Sequence, residues 1–294
     1  PRSRSTHMKA IVWLASYPKS GNTWFRTFLT NFLSNGDQPA DINRLKGGPI
    51  ASGRQPFDEA VGYDSGEMTY EEIDHLRPEV YLYQAQHAKE TQYCKVHDAY
   101  TFLPDGRALI PAEATACALY FIRNPLDVAV SFAHHGGHDH FERTIKQMGS
   151  NENSFGEVDA TEKLQLRQKL LSWSNHAQSW IDAPGIRVLP IRYEDMKLDG
   201  QKTFGDAIRF ADLPNDAGRI AKAIRFSDFK EVKKQEEATG FGERSSRAKS
   251  FFRQGETGSW RDSLTPEQAA KIISDHSEMM HRFGYLDANN EPVF

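Results

Sequence analysis

Five apolar residues, Ile11 to Ala15 (IVWLA), run straight into a polar, glycine-bearing turn and then an amphipathic helix, and this junction constrains the fold more than any other stretch. A strand that is apolar on both sides must be covered on both faces, as strands in the middle of a parallel sheet are. From Thr23 the period changes. Trp24, Phe25, Phe28, Leu29, Phe32 and Leu33 recur at helical spacing, and Asn35-Gly36 supplies the stop. The alternation then repeats. Ala118 to Arg123 (ALYFIR) is a second apolar run, followed by Asn124 as a helix cap, Pro125 at the first helical position and Asp127 in the first turn. Tyr93 to His97 (YCKVH) and Ile186 to Ile191 (IRVLPI) read as further strands, and Pro190, which has no N–H, argues against a central place for the end of the latter. Helices are expected over Thr161 to Asp182, Lys202 to Ala211 and Asp216 to Ile224. A last one is expected from Thr265, where Thr265, Pro266 and Gln268 form a capping box, to Gly284. Residues 36–68 read mostly as loop, with a short helix at Thr69 to Leu76, and Gly240 to Gly258 as a long basic loop that orders on a ligand. The expected fold is α/β, a mainly parallel central sheet with helices on both faces, and such sheets bind ligands beyond the C-terminal ends of their strands.

Composition narrows the class. Hydrophobic residues make up 38% and charged residues 26% of the 294-residue chain, a globular balance. The longest apolar stretches fall far short of the roughly 20 residues a membrane helix needs. A net charge of −4 does not suit a general nucleic-acid coat. Residues 1–8 (PRSRSTHM) read as an expression-tag remnant ending at a start Met, with residues 9–294 as a single domain. Two cysteines, Cys94 and Cys117, make no disulfide framework, and the expected compartment is the reducing cytoplasm.

The first turn reads Ser16-Tyr17-Pro18-Lys19-Ser20-Gly21-Asn22-Thr23. Outward-pointing backbone N–H groups at a helix N-terminus favour an anion, Gly21 lets the backbone curl around an oxyanion, Lys19 adds a full charge, and Ser20 and Thr23 add hydroxyls. A nucleotide-triphosphatase loop would carry its Lys after the second glycine. Here Lys19 precedes Gly21, and ALYFI ends in Arg123 and Asn124 rather than an acid suited to magnesium. Arg123, at a strand end, and Ser131, eight residues on in the following helix, form a second candidate anion site. Two such sites suit a ligand with two phosphate-like groups.

With these residues together, the runs YPKSGNTW and FIRNPLDVAVSF, the pair YED and the late RQGETGSW, in that order, resemble the cytosolic sulfotransferase family over about Ala10 to Gly284. That family has a P-loop-like α/β fold and uses 3′-phosphoadenosine 5′-phosphosulfate (PAPS) as donor, releasing adenosine 3′,5′-bisphosphate (PAP). The resemblance implies that Lys19, Ser20, Gly21, Asn22 and Thr23 hold the 5′-phosphosulfate, with Asn22 standing where the family usually has Thr. It implies that Trp24, Tyr193, Ser227 and Phe229 surround the adenine. Arg123 and Ser131 would hold the 3′-phosphate, with Arg253, Gln254 and Gly255 closing on it, Gln254 standing where the family commonly has Lys.

Lys95 and His97, two apart on a short strand, project to the same side. A neutral imidazole can take a proton from a hydroxyl near pH 7. KVH also matches the strand in which the family places its catalytic His. The resemblance therefore implies His97 as general base, with Lys19 neutralising charge on the leaving oxygen and Lys95 supporting it. No metal is expected. The His134 to His140 cluster is broken by Gly136-Gly137 and lacks a firm zinc spacing. Lys230, Lys233 and Lys234 read as a solvated helix face, and Trp173 and Trp180 as core. The expected partner is a small hydroxylated acceptor (a phenol, an alcohol or a sugar), with a homodimer compatible with the sequence. The loops Gln38 to Asp64, His134 to Asn151 and Gly240 to Phe252 are expected to line its pocket, with Phe57, Tyr63, Phe102, Phe132 and Phe141 as aromatic walls. Two other readings stand beside this one: a P-loop kinase or ATPase using ATP and Mg²⁺, and a catalytically silent nucleotide-binding protein.

Overall fold

The computed structural model describes residues 10–156, 164–253 and 255–294. The tag-like residues 1–8, the expected helix start at Thr161 and Gln254 lie outside the described residues. The first strand, β1 (Ile11–Ser16), passes through the turn into α1 (Asn22–Ser34). Two helices, α2 (Arg54–Val61) and α3 (Tyr70–His87), precede β2 (Gln92–Val96) and β3 (Thr115–Ile122). Then come α4 (Pro125–His135), α5 (Phe141–Met148), a two-strand ribbon of β4 (Ser154–Phe155) and β5 (Gln168–Lys169), and α6 (Trp173–Ile181). After β6 (Val188–Arg192) the chain is helical through α7 (Tyr193–Leu198), α8 (Gly200–Phe210), α9 (Ala217–Phe226) and α10 (Phe229–Thr239), and ends with α11 (Pro266–Arg282). The four long strands form a sheet in the order β2-β1-β3-β6, with every pairing parallel.

Strand periodicity divides the core in two. Ile11, Trp13 and Ala15 of β1, with Ala118, Tyr120 and Ile122 of β3, join Trp173, Trp180 and Ile272 on one face. Val12 and Leu14, with Cys117, Leu119 and Phe121, join Phe25, Phe28, Phe32 and Phe204 on the other. The apolar runs were therefore continuous because each residue has a core to enter. Pro190 lies in β6, which pairs with β3 alone, so its missing N–H faces no ladder partner.

Two expectations need correction. The described part of the expected helix Thr161 to Asp182 is helical only over Trp173–Ile181, capped by Ser172, whose side chain accepts from Asn175 N. Before it, Leu171 sits at φ 59°, Gln168 and Lys169 pair as a strand, and Leu166 and Leu170 enter different clusters. Helical spacing of buried leucines was here a coincidence of two separate burials. Conversely, residues 36–68 include α2, and the helix expected to end at Leu76 continues to His87. A Thr69–Glu72 capping box starts it, and Pro78 is carried inside it.

Candidate active site

A cleft of about 920 Å³ opens beyond the C-terminal ends of β1, β2 and β3. Lys19, His97 and Arg123, each just past one of those ends, line it together with Gly21, Asn22, Thr23, Trp24, Lys95, Ser131, Tyr193, Phe229, Arg253 and Gly255. Two expected site residues lie apart from this lining. Ser20 is fully buried beneath the turn. Ser227 points its hydroxyl back to the carbonyls of Ala223 and Ile224, leaving Asp228 and Phe229 to reach the cleft.

The turn is built for close approach. Lys19 and Gly21 both have positive φ, 69° and 99°, and a Cβ on Gly21 would stand 2.8 Å from the Tyr193 ring. Asn22 explains its departure from Thr: its Nδ2 donates to Leu14 O at 2.7 Å and to Ser16 Oγ at 3.2 Å, tying the turn to the strand. Its backbone N–H, at the first position of α1, is what remains for a ligand. Burial first, then Arg123 and Lys95, lowers the Lys19 ammonium to about 7. Its Nζ lies 4.0 Å from the centre of the Phe251 ring.

Arg123 lies beside a carboxylate that has other partners. Its Nη2 is 4.0 Å from Asp127, but that carboxylate already accepts from Gly258 N at 2.8 Å, Trp260 N at 3.1 Å and Ser259 Oγ at 3.2 Å. Arg123 instead donates to Glu256 O at 2.7 Å and stacks 4.4 Å over Tyr193. Beside it, the buried Glu194 accepts from Asn124 N at 3.1 Å and Tyr285 OH at 3.0 Å, which fixes the backbone that carries Arg123. The late loop joins the same wall: Tyr193 OH donates to Gly255 O at 2.8 Å, and a Cβ on Gly255 would meet Phe229 at 2.5 Å.

His97 is oriented from behind. Its Nδ1 lies 2.8 Å from Ser16 O, and a carbonyl only accepts, so Nδ1 carries the proton and Nε2 holds the lone pair. The His176 ring donates to His97 O at 3.0 Å while Tyr120 OH donates to its other nitrogen at 2.9 Å. The next residue, Asp98, is clamped by Arg77 at 2.7 and 3.0 Å, and its backbone carbonyl accepts from Trp180. Burial, then Lys95, holds the His97 imidazolium well below its usual range, so the ring is neutral near pH 7.

The acceptor half differs from expectation. Of the five aromatics named, Phe132 lines the cleft. Phe57 belongs to a separate cluster with Ile73 and Leu166, Phe141 packs against the main core, and Tyr63 and Phe102 are exposed. Phe155 and Phe251 take their place, with Pro49, Ile50, Gln165 and Gln168. His135 also faces the cleft, whereas no group of three metal-ligating side chains exists among the described residues.

The residues present fit a doubly anionic nucleotide. Buried polar atoms with no partner among the described residues, Trp24 Nε1 and Arg123 Nε, belong to side chains on the cleft lining, beside the converging cations Lys19 and Arg123. The sulfotransferase domain model matches residues 9–284. Luciferin sulfotransferase of Photinus pyralis is 24% identical over 89% of this chain and 69% of its own, and flavonol 3-sulfotransferase of Flaveria bidentis is 27% identical over 89% and 78%. A mouse sulfotransferase complexed with PAP superposes with a TM-score of 0.57 at 20% identity, covering 92% of this chain and 85% of the other. Retinol dehydratase in complex with androsterone and PAP gives 0.59 at 17%, covering 92% and 81%. The chain belongs to the sulfotransferase family. It is an enzyme that takes a sulfuryl group from PAPS and leaves PAP, and the kinase and silent-binder readings are set aside. Among the described residues no helix is long and apolar enough to cross a membrane.

Proposed function

We propose that the acceptor is a small molecule bearing a hydroxyl and that His97 is the base that activates it. The observation that carries this reading is the fixed tautomer: the Ser16 carbonyl holds the proton on Nδ1, so Nε2 is the one ring nitrogen free to receive another. His97 takes the hydroxyl proton as the acceptor oxygen bonds to sulfur. The bond from sulfur to the phosphate oxygen breaks, and Lys19 meets the charge that builds on that oxygen, with Lys95 behind it. Arg123, Ser131, Arg253 and Gly255 hold the 3′-phosphate, and Trp24, Tyr193 and Phe229 the adenine. Gln254 is proposed with them on sequence grounds alone. Phe132, Phe155 and Ile50 suit an acceptor with an apolar body, a phenol or a hydrophobic alcohol before a simple sugar. A reducing, cytoplasmic setting accords with Cys94 and Cys117, which are both free thiols.

A thermal-shift titration tests the donor site. PAP without metal should stabilise the protein by about 2.7 kcal/mol at 100 times its dissociation constant. Arg123→Ala should weaken PAP by about 1.5–3 kcal/mol. Stabilisation by ATP with Mg²⁺ and none by PAP would overturn the assignment of the turn.

A further inference from the structure

Beside the donor anchors Lys19 and Arg123, the cleft holds a second pair of cations bridged by one carboxylate. Arg26 projects from α1 and Lys95 from β2 on the same face of the sheet, and Glu243 of the late loop bridges them: Arg26 Nη1 at 2.6 Å and Lys95 Nζ at 2.9 Å, one carboxylate oxygen each. The Arg26 side chain is 3% exposed and that of Lys95 15%. Arg26 is seated rather than incidental. Its Nε donates to Lys46 O at 2.9 Å, and Gly47, at φ 87°, would place a Cβ 3.1 Å from that nitrogen. Through Nη1 it meets the carboxylate in the cleft.

The late loop covers four of the cleft cations in a similar way. It covers Lys19 with the Phe251 ring, meets Arg123 with the Glu256 carbonyl and meets Arg26 and Lys95 with the Glu243 carboxylate. Lys19 and Arg123 are the donor anchors proposed above, so at those two the loop touches cations meant for ligand anions. Lys95 lies two residues from His97, so the third place adjoins the base.

We infer that Arg26 and Lys95 form an anion subsite for the acceptor, so that the preferred acceptor carries a carboxylate or comparable anionic group besides its hydroxyl, and that Glu243 is its internal stand-in. This rests on the reading of His97 as the acceptor's base. Two buried cations side by side are costly without a counter-charge. An acceptor anion that displaces Glu243 keeps the pair neutralised, whereas an uncharged acceptor leaves the subsite to the loop. Phe132, Phe155 and Ile50 then take the apolar body between the anionic group and the hydroxyl.

The test compares 4-hydroxyphenylacetate with its methyl ester, which share the phenol and differ in charge. Binding is measured calorimetrically to the PAP complex and turnover with PAPS. The acid is expected to bind at least about tenfold more tightly than the ester. Arg26→Gln should bring the ratio of their kcat/KM values close to one. Glu243→Gln, at a partly exposed position, should lower KM for the acid relative to the ester. Equal or tighter binding of the ester, binding of neither, or an effect of Arg26→Gln confined to the KM for PAPS would overturn the subsite. PAP stabilisation of each variant separates these outcomes from misfolding and from failure of the donor site itself.

Discussion

His97 and Lys19 are both shifted by burial, in a sense that suits opposite tasks. Taking an imidazolium out of water favours the neutral ring, and a base must be neutral to accept a proton. The same desolvation, with Arg123 and Lys95 nearby, lowers Lys19 to about 7, so that it is about half protonated at neutral pH, and an anionic phosphosulfate beside it restores the ammonium. The base therefore needs no counter-charge, and the cation becomes fully charged as the donor arrives. His97→Ala should lower turnover by ~10²–10⁴-fold, the worth of a positioned base. PAP should still stabilise that variant, because no donor anchor is removed. Steady-state rates with PAPS and a phenol panel, beside a PAP thermal shift, check both halves. Near-normal turnover in the variant would mean that another group receives the proton.

Elements, more than single side chains, hold the donor turn in place. Gly21 ends the turn at φ 99° against α7, where Tyr193 and Met196 stand 2.8 and 2.9 Å from the place a Cβ would occupy. Gly21→Ala combines a left-handed backbone cost of about 1–2 kcal/mol with overpacking of about 1–3 kcal/mol. It should lower Tm by several degrees and weaken PAP, since relief requires α7 to move and α7 carries Tyr193. Unchanged melting and unchanged PAP affinity would show that the turn has room to relax. This junction was legible in the sequence because its signals are local: an apolar run, a glycine and a helical period within twenty-odd neighbouring residues. Arg123 was legible for the same reason, at the end of ALYFI before an Asn-Pro cap. Glu243 was not, since it stands 217 residues from Arg26 and only the sheet brings their elements together. The one sequence sign of Arg26 was a charge set among the apolar residues of an otherwise buried helix. Phe155 and Phe251 escaped for a related reason: a short ribbon and a long loop carry no periodicity, so nothing marks which of their aromatics turn inward.

Across the whole molecule, burial of neutral histidines ties folding to pH. His176, fully buried between Tyr120 and the His97 carbonyl, and His276, 2% exposed with Nδ1 2.9 Å from Ser174 Oγ, are both held at about 4 by desolvation. In the unfolded chain each returns to about 6.5. Between those values the unfolded state binds more protons than the folded one, so stability falls as pH falls through 6.5 and levels off below about 4. At pH 5 the loss is about 2 kcal/mol per histidine, a large share of the roughly 5–15 kcal/mol that holds a native protein together. The urea midpoint should therefore drop markedly from pH 7.5 to pH 5 with little change in slope. His276→Gln keeps a hydrogen-bonding side chain at the site of Ser174 and cannot titrate, so its midpoint should fall less over the same interval. A midpoint that is flat across that interval in the parent protein, or that falls equally in the variant, would show that these rings are not what makes the fold acid-sensitive. His97 lies under the same rule, since its imidazolium too is disfavoured by burial. The acid limb of activity should then coincide with loss of structure rather than with titration of the base in the folded enzyme, and circular dichroism recorded alongside the rate distinguishes the two.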